Sequence, residues 1–67
     1  MKGYFKIIGS NIRKVRREKG LTLRGLGTLC KMDYSNICRF EQGNRDIYLS
    51  TLKQIADALE CDVKDFL

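Results

Sequence analysis

Apolar residues recur at helical spacing in a series of short segments along this chain, and glycines or capping residues separate each segment from the next. In the first segment Ile8, Ile12 and Val15 are spaced by four and then three residues, which places them on one face of a helix. We therefore predict a helix over residues 8–19, ended by a glycine in the left-handed conformation. Residues 1–7, which precede this pattern, are expected to form an N-terminal arm.

The same spacing predicts four further helices, and no segment alternates apolar and polar residues as a half-buried strand does. The predicted fold is therefore all-α, a compact arrangement of five short helices. Because the chain has only 67 residues, we expect one domain, 1–67, that buries about 60% of the surface its unfolded form exposes. Good N-caps precede three of the helices. The further helices are predicted over residues 23–30 after Thr22, 34–41 after Asp33, 49–59, and a short last segment after Asp62.

Two glycines interrupt the second predicted helix, and each opposes a helix by roughly 1 kcal/mol relative to alanine. Gly27 lies near the apolar face that carries Leu26 and Leu29, where a glycine permits a neighbouring helix to approach closely. Strain or flexibility is the simpler interpretation of Gly25. The segment is still expected to be helical because its apolar residues keep helical spacing.

The charged side chains are unevenly distributed along the chain. Residues 1–45 contain 11 basic and 3 acidic side chains, whereas residues 46–67 contain 2 basic and 5 acidic ones. A basic region of this kind indicates a polyanionic partner. A solvated charged surface explains the same distribution equally well, so charge alone leaves both interpretations open.

Several classes of function lack the residues that they require. The chain has three cysteines without a CxxC spacing and no histidine, so we expect no metal site, and free thiols in a reducing cytosol. No apolar run approaches the roughly 20 residues that span a bilayer, and no secretory signal is visible. Neither a nucleophile–base set nor a pair of carboxylates suited to catalysis is evident. We therefore expect a cytoplasmic protein without enzyme activity, cofactor, membrane partner or small-molecule ligand.

The segment DYSNICRFEQGNRD, over residues 33–46, is polar on most faces of the third predicted helix. A short turn joins this helix to the second one, which is the arrangement of a helix-turn-helix. In that motif the second helix lies in the major groove of DNA and its side chains meet base edges. Polar side chains without partners in the fold would then bind DNA, although a polar solvated helix is the alternative.

The polar side chains of the third predicted helix have the chemistry of base recognition. Arg39 can bind O6 and N7 of guanine with two hydrogen bonds, and Asn36 can bind adenine in the same way or can face the backbone. Ser35 can donate or accept a hydrogen bond. The ring of Tyr34 can rest on a thymine methyl group, or its hydroxyl can reach a phosphate. These four residues are the predicted base contacts.

From Ile8 to Leu67 the chain resembles the lambda-repressor-like, Cro/XRE-type helix-turn-helix DNA-binding domain. The resemblance rests on an ordered set of segments, none of which is decisive alone, and it covers nearly the whole chain. It implies double-stranded DNA as the partner and a helix-turn-helix formed by helices two and three. The matching segments are IRKVRREKGLT, then Leu26, then SNICRFEQGNR, then TLKQIADAL.

The resemblance also assigns roles to particular residues. The base-reading positions of the family fall on Tyr34, Ser35 and Arg39, with Asn36 close by. Phosphate contacts are implied at the start of the second helix, in the loop after the third helix, and on the arginine of an internal ion pair. These positions are Arg16, Thr22, Leu23, Arg24, Asn44 and Arg45, and the partner of Arg16 in the ion pair is Glu41.

Three residues depart from the family pattern. The second helix usually begins with a glutamine whose side chain binds a phosphate. Leu23 cannot replace that side chain, although the helix N-terminus can still hold a phosphate. Lys31 and Glu60 stand where glycine is usual, and we expect strain at both because a positive φ is unfavourable for other residues.

The function implied is a sequence-specific regulator of transcription, most simply a repressor, that binds a palindromic operator as a homodimer. The two half-sites would lie one helical turn, roughly 34 Å, apart. Val63, Phe66 and Leu67 are the expected interface residues, with Tyr48 or Leu49 as further candidates and a role in the core as the alternative for each. A controller protein, an antitoxin, or a protein-binding module that has lost DNA binding are the alternative functions.

Overall fold

The computed structural model describes residues 2–67, and within them the chain forms four α-helices followed by one turn of 3-10 helix. No strand is present over these residues, so the all-α prediction is confirmed. The predicted bounds of the second and third helices are also confirmed, and the fourth helix ends one residue earlier than predicted. The elements are α1 (Lys2–Glu18), α2 (Leu23–Cys30), α3 (Tyr34–Glu41), α4 (Leu49–Ala58) and the 3-10 turn (Val63–Phe66).

Helix α1 is longer than predicted. It begins at Lys2 and has 17 residues, so the N-terminal arm predicted over residues 1–7 is wrong for its described part, and Met1 lies outside the described residues. Neither α1 nor any other helix of the described chain is both long and apolar enough to cross a membrane. The extension of α1 has a physical cause in the packing of its first turns.

The first turns of α1 pack closely against the end of α3. A Cβ atom added to Gly9 would lie only 2.7 Å from the carbonyl oxygen of Glu41. A Cβ atom added to Gly43 would lie 2.6 Å from the Cα atom of Lys6. Two glycines thus let two backbones meet, and this contact gives the beginning of α1 a surface on which to remain helical.

The fifth predicted helix is a single 3-10 turn rather than an α-helix. The amide of Asp65 donates to the carbonyl of Asp62 at 2.9 Å. The amide of Leu67 donates to the carbonyl of Lys64 at 3.1 Å, and this spacing of three residues defines a 3-10 helix. The segment is too short for a regular α-helix, and the fully buried side chain of Phe66 anchors it.

One hydrophobic core joins the five elements. Each fully buried large side chain contributes about 1.5–3 kcal/mol to folding. Leu29, which was predicted on the apolar face of α2, is instead 55% exposed. The buried face of α2 is centred on Leu26, Gly27 and Cys30, and this rotates Leu29 toward solvent. The fully buried side chains are Ile12, Leu26, Ile37, Ile55, Leu59 and Phe66.

Left-handed residues follow the helices. Gly20 has a φ of 72° two residues after the end of α1, so the predicted glycine stop is confirmed. Lys31 follows α2 with a φ of 55°, and Glu60 follows α4 with a φ of 57°. The strain predicted at these two residues is therefore present, since a left-handed backbone costs an L-residue roughly 1–2 kcal/mol.

Candidate nucleic-acid interface

Helices α2 and α3 are joined by a tight turn that depends on Gly27. The amide of Met32 donates to the carbonyl of Gly27 at 2.9 Å, and Lys31 adopts the left-handed conformation between them. A Cβ atom added to Gly27 would lie 2.7 Å from the Met32 carbonyl oxygen and 3.3 Å from the Tyr34 nitrogen. The close approach predicted at Gly27 is confirmed, and it sets the start of α3 directly against α2.

The N-terminus of α2 carries amide groups that face outward. Thr22 caps the helix, because its hydroxyl oxygen accepts from the amide of Gly25 at 3.0 Å and its carbonyl accepts from Leu26 at 2.9 Å. Within residues 2–67 the amides of Leu23 and Arg24 have no acceptor. Free amides at the positive end of a helix form a site suited to an anion such as phosphate.

Helix α3 has one face on the core and another in solvent. Ile37 is fully buried and Phe40 is half-buried on the core side. Because successive helical residues are separated by about 100°, Ser35 and Arg39 share the solvent face. Asn36 lies to the side of that face, near the direction of Phe40. The four predicted base contacts therefore do not all point the same way.

One edge of the solvent face of α3 carries an arginine stacked on a tyrosine. The guanidinium carbon of Arg24 lies 4.5 Å from the centroid of the Tyr34 ring, and its Nη2 atom lies 3.5 Å from the Tyr34 hydroxyl oxygen. Tyr34 is 41% exposed. A cation–π contact at an exposed site contributes about 0.5–1 kcal/mol, which favours the presentation of both side chains at this edge.

The other edge of α3 is bound by the loop that follows the helix. Nη1 of Arg45 donates to Oδ1 of Asn36 at 2.7 Å. Nδ2 of Asn44 donates to Oε1 of Gln42 at 3.1 Å. The two loop side chains that were predicted to contact phosphate are therefore bonded to amide oxygens of Asn36, within α3, and of Gln42, directly after it.

The predicted ion pair between Arg16 and Glu41 forms in the structure and links α1 to α3. Nε of Arg16 donates to Oε2 of Glu41 at 2.7 Å and Nη2 donates to Oε1 at 3.1 Å. Nη1 donates to the carbonyl of Leu21 at 2.7 Å. The hydrogen bonds to Glu41 raise the pKa of Arg16 above its usual value. With 8% of Arg16 exposed, little surface is left for the phosphate contact that the resemblance implied.

A groove beside α3 is lined by residues of α1 that are absent from the predicted phosphate contacts. Leu23 at the start of α2, and Cys38 and Gln42 of α3, form its other walls. The residues of α1 recur at intervals of four, three and four, which is one helical face. This spacing is visible in the sequence. The prediction missed it because the arm predicted over residues 1–7 left Lys6 outside the helix. These residues are Lys6, Ser10, Arg13 and Arg17.

The residues predicted at a dimer interface differ in exposure. Phe66 is fully buried, so its predicted place at the interface is wrong, because its side chain packs within the core of its own chain. Val63 is half-buried and Leu67 is 70% exposed. Tyr48 and Leu49, at the start of α4, are 77% and 71% exposed.

Residues 11–67 match the sequence profile of the Cro/C1-type HTH DNA-binding domain, where HTH denotes helix-turn-helix. The chain belongs to this family. The match includes α2 and α3, so these two helices and the tight turn at Gly27 between them form the helix-turn-helix of the family. The resemblance read from the sequence is confirmed, and the domain is a DNA-binding module of the transcriptional-regulator type.

Several known proteins are similar to this chain in sequence or in fold. An uncharacterized HTH-type transcriptional regulator, y4dJ, of Sinorhizobium fredii is 35% identical over 54 residues, which cover 81% of this chain and 70% of that protein. The restriction-modification controller protein C.AhdI from Aeromonas hydrophila is 27% identical with a TM-score of 0.90, covering 94% of this chain and 96% of that one. The clp gene regulator ClgR from C. glutamicum is 25% identical with a TM-score of 0.90, covering 94% and 82%. The DNA-binding domain of BldD is 25% identical with a TM-score of 0.92, covering 100% and 97%.

Proposed function

We propose that the protein is a sequence-specific regulator that binds double-stranded DNA through the major groove and acts most simply as a repressor by occupying a promoter. The observation that carries this proposal is the solvent face of α3. The Arg39 side chain makes no hydrogen bond or ion pair within residues 2–67, while Arg24 and Arg45 lie at the two edges. Polar side chains that the fold leaves unpaired are those that base edges can satisfy.

Base recognition is assigned to Tyr34, Ser35 and Arg39. Arg39 projects from the centre of the solvent face and has the forked geometry that binds O6 and N7 of guanine. Ser35 is on the same face and can donate to, or accept from, a neighbouring base. Tyr34, which supports Arg24, offers its ring edge to a thymine methyl group.

Phosphate binding is assigned to groups on both sides of α3. The free amides of Leu23 and Arg24 replace the glutamine side chain that the family usually has at the start of α2, because a helix N-terminus holds a phosphate through its backbone. The Arg24 side chain, Asn44 and Arg45 supply further contacts, and Thr22 holds the N-terminus of α2 in shape. Such contacts fix the register of the protein on DNA without reading its sequence.

The proposed active unit is a homodimer on a palindromic operator. The candidate interface residues are Val63 and Leu67, which both follow α4, and Leu67 is an exposed apolar residue. Sedimentation equilibrium with and without operator tests this unit. Leu67→Lys should weaken the dimer, whereas Leu29→Lys, at a leucine exposed on α2, should not. A monomer at high concentration that also binds its operator as one chain would contradict the dimer.

An Arg39→Ala variant tests the assignment of base recognition. Specific affinity should fall by about 1–3 kcal/mol while non-specific affinity barely changes, because the lost contacts are to one base. Lys19→Ala is the matched control, since it removes a positive charge from a surface near Cys61 and Asp65 that no residue of α3 lines. Specific affinity that survives Arg39→Ala would remove Arg39 from the site. A wild-type protein without specific affinity for any duplex would favour a protein-binding module, which Leu23 at the start of α2 also favours.

A controller protein is the second candidate function. The fold likeness to the controller protein C.AhdI extends over 94% of this chain and 96% of that one, which favours this alternative over an antitoxin. A reporter gene behind the selected operator separates the candidates. Repression lowers its expression when the protein is present, and activation raises it.

A further inference from the structure

The side chain of Asn36 holds the side chain of Arg45 across the gap between α3 and the following loop. The distance from Nη1 of Arg45 to Oδ1 of Asn36 is 2.7 Å, which is short for a hydrogen bond between nitrogen and oxygen and typical of one with a charged donor. Arg45 is exposed and Asn36 is half-buried. The contact therefore restricts the long, exposed side chain of Arg45 by bonding it to a half-buried side chain of α3.

The chemistry of the two groups determines the orientation of the amide. A guanidinium has five N–H donors and no acceptor, so Asn36 must turn its carbonyl oxygen to Arg45. A bidentate contact of asparagine with adenine uses both the oxygen and the nitrogen of the amide. The oxygen of Asn36 is already engaged, and the residue lies about 100° away from Ser35 around α3. Both facts disfavour Asn36 as a base-reading residue.

We propose that Asn36 is a positioning residue that aims Arg45 at a phosphate of the DNA backbone. This inference rests on the proposed function. One N–H of Arg45 binds Asn36 and four remain to bind phosphate oxygens. Asn36 limits the directions that the long side chain of Arg45 can take, so its amide acts on DNA affinity through Arg45 and leaves base preference unchanged.

The test compares wild type with Asn36→Ala, Arg45→Ala and the double variant on one short random-sequence duplex over a range of salt concentrations. Asn36→Ala removes no charge, yet the slope of log affinity against log salt should become less steep by about one, because one phosphate contact is lost. The ratio of the affinity at 50 mM salt to the affinity at 200 mM salt should then be about 3.5-fold smaller than in wild type. Arg45→Ala should reduce the slope by the same amount. The double variant should reduce it no further than either single variant.

Two controls separate this proposal from the loss of any charge or any base contact. Lys19→Ala removes a charge from a surface near Cys61 and Asp65, outside the proposed DNA interface, and should leave the salt slope unchanged. Selection of DNA sequences by Asn36→Ala should return the same preferred sequence as wild type. This second readout reports on base reading alone, since phosphate contacts carry no sequence information.

Three results would overturn the proposal. Asn36→Ala could keep the wild-type slope and lose preference at one base pair, which would make Asn36 a base-reading residue. The double variant could reduce the slope by twice the single effect, which would mean that the two side chains act independently. Wild type could show no salt-dependent binding to any duplex, and this result alone would overturn the proposed function as well.

Discussion

Arg16 and Glu41 form a two-point ion pair between α1 and α3, with N–O distances of 2.7 and 3.1 Å and side chains that are 9% and 6% exposed. The third nitrogen of the guanidinium binds the carbonyl of Leu21 in the segment before α2. One arginine thus joins α1, the entry to α2 and the end of α3. The orientation of the candidate recognition helix therefore depends on this pair.

Glu41→Ala should destabilise the protein by about 3–5 kcal/mol, because it leaves the Arg16 charge buried without a partner. Urea unfolding monitored by circular dichroism measures the effect. Asp57→Ala is the control, since it breaks the pair of Lys53 and Asp57, whose side chains are 67% and 62% exposed, and exposed pairs of this kind contribute little. Equal, small effects of the two changes would contradict a buried pair.

Gly9→Ala should destabilise the protein by about 1–3 kcal/mol, because the new methyl group meets the backbone at the end of α3 and cannot be accommodated without movement. Gly3→Ala in the same helix is the matched control, since an added Cβ there has no neighbour within 4 Å. That change should be neutral or stabilising, because alanine favours a helix. Thermal unfolding compares the two, and a tolerated Gly9→Ala would argue against the close crossing of α1 and α3.

Lys31→Gly should stabilise the protein, because it relieves a left-handed strain of roughly 1–2 kcal/mol. The gain is reduced by the freedom that glycine adds to the unfolded chain, about 0.5–1 kcal/mol, so a net effect up to about 1.5 kcal/mol is expected. Chemical denaturation measures it. Lys31→Ala, which keeps the strain and removes the charge, should give no such gain, and an equal gain would assign the effect to charge.

Arg13→Ala and Arg17→Ala should each make the salt dependence of DNA binding less steep by about one, if each residue contacts one phosphate from the groove beside α3. Affinity measured over a range of salt concentrations gives the slopes. Lys19→Ala is the control, because Lys19 follows the same helix but lines a different surface, near Cys61 and Asp65. A slope that changes equally in all three variants would indicate a general effect of net charge.

Features with a local cause could be read from the sequence. The bounds of α2 and α3 were predicted to the residue because capping residues and apolar spacing lie within each segment. The strain at Lys31 was predicted from the resemblance, because Lys31 stands where the family usually has glycine, and the residue is left-handed in the structure. Thr22 accepts from the amide of Gly25 as an N-cap should, whereas Asp33 makes no such side-chain bond.

Features with a distant cause could not be read from the sequence alone. The start of α1 depends on contacts with Glu41 and Gly43, more than thirty residues away in the chain, and no pattern within residues 1–7 reports them. The hydrogen bond between Asn36 and Arg45 likewise joins α3 to the following loop. The sequence does not define the conformation of that loop, so it could not predict the contact. Phe66 could pack inward or outward by its pattern, and only the fold decides.

Selection from a pool of random duplex DNA at one fixed, near-physiological salt concentration tests the central claim most directly. Salt must be fixed because phosphate contacts make affinity strongly salt-dependent. The account predicts an enriched palindrome whose half-sites lie one helical turn, roughly 34 Å, apart, and whose preference for guanine at the position read by Arg39 is lost with Arg39→Ala. Weak, salt-sensitive binding without any enriched sequence would contradict it.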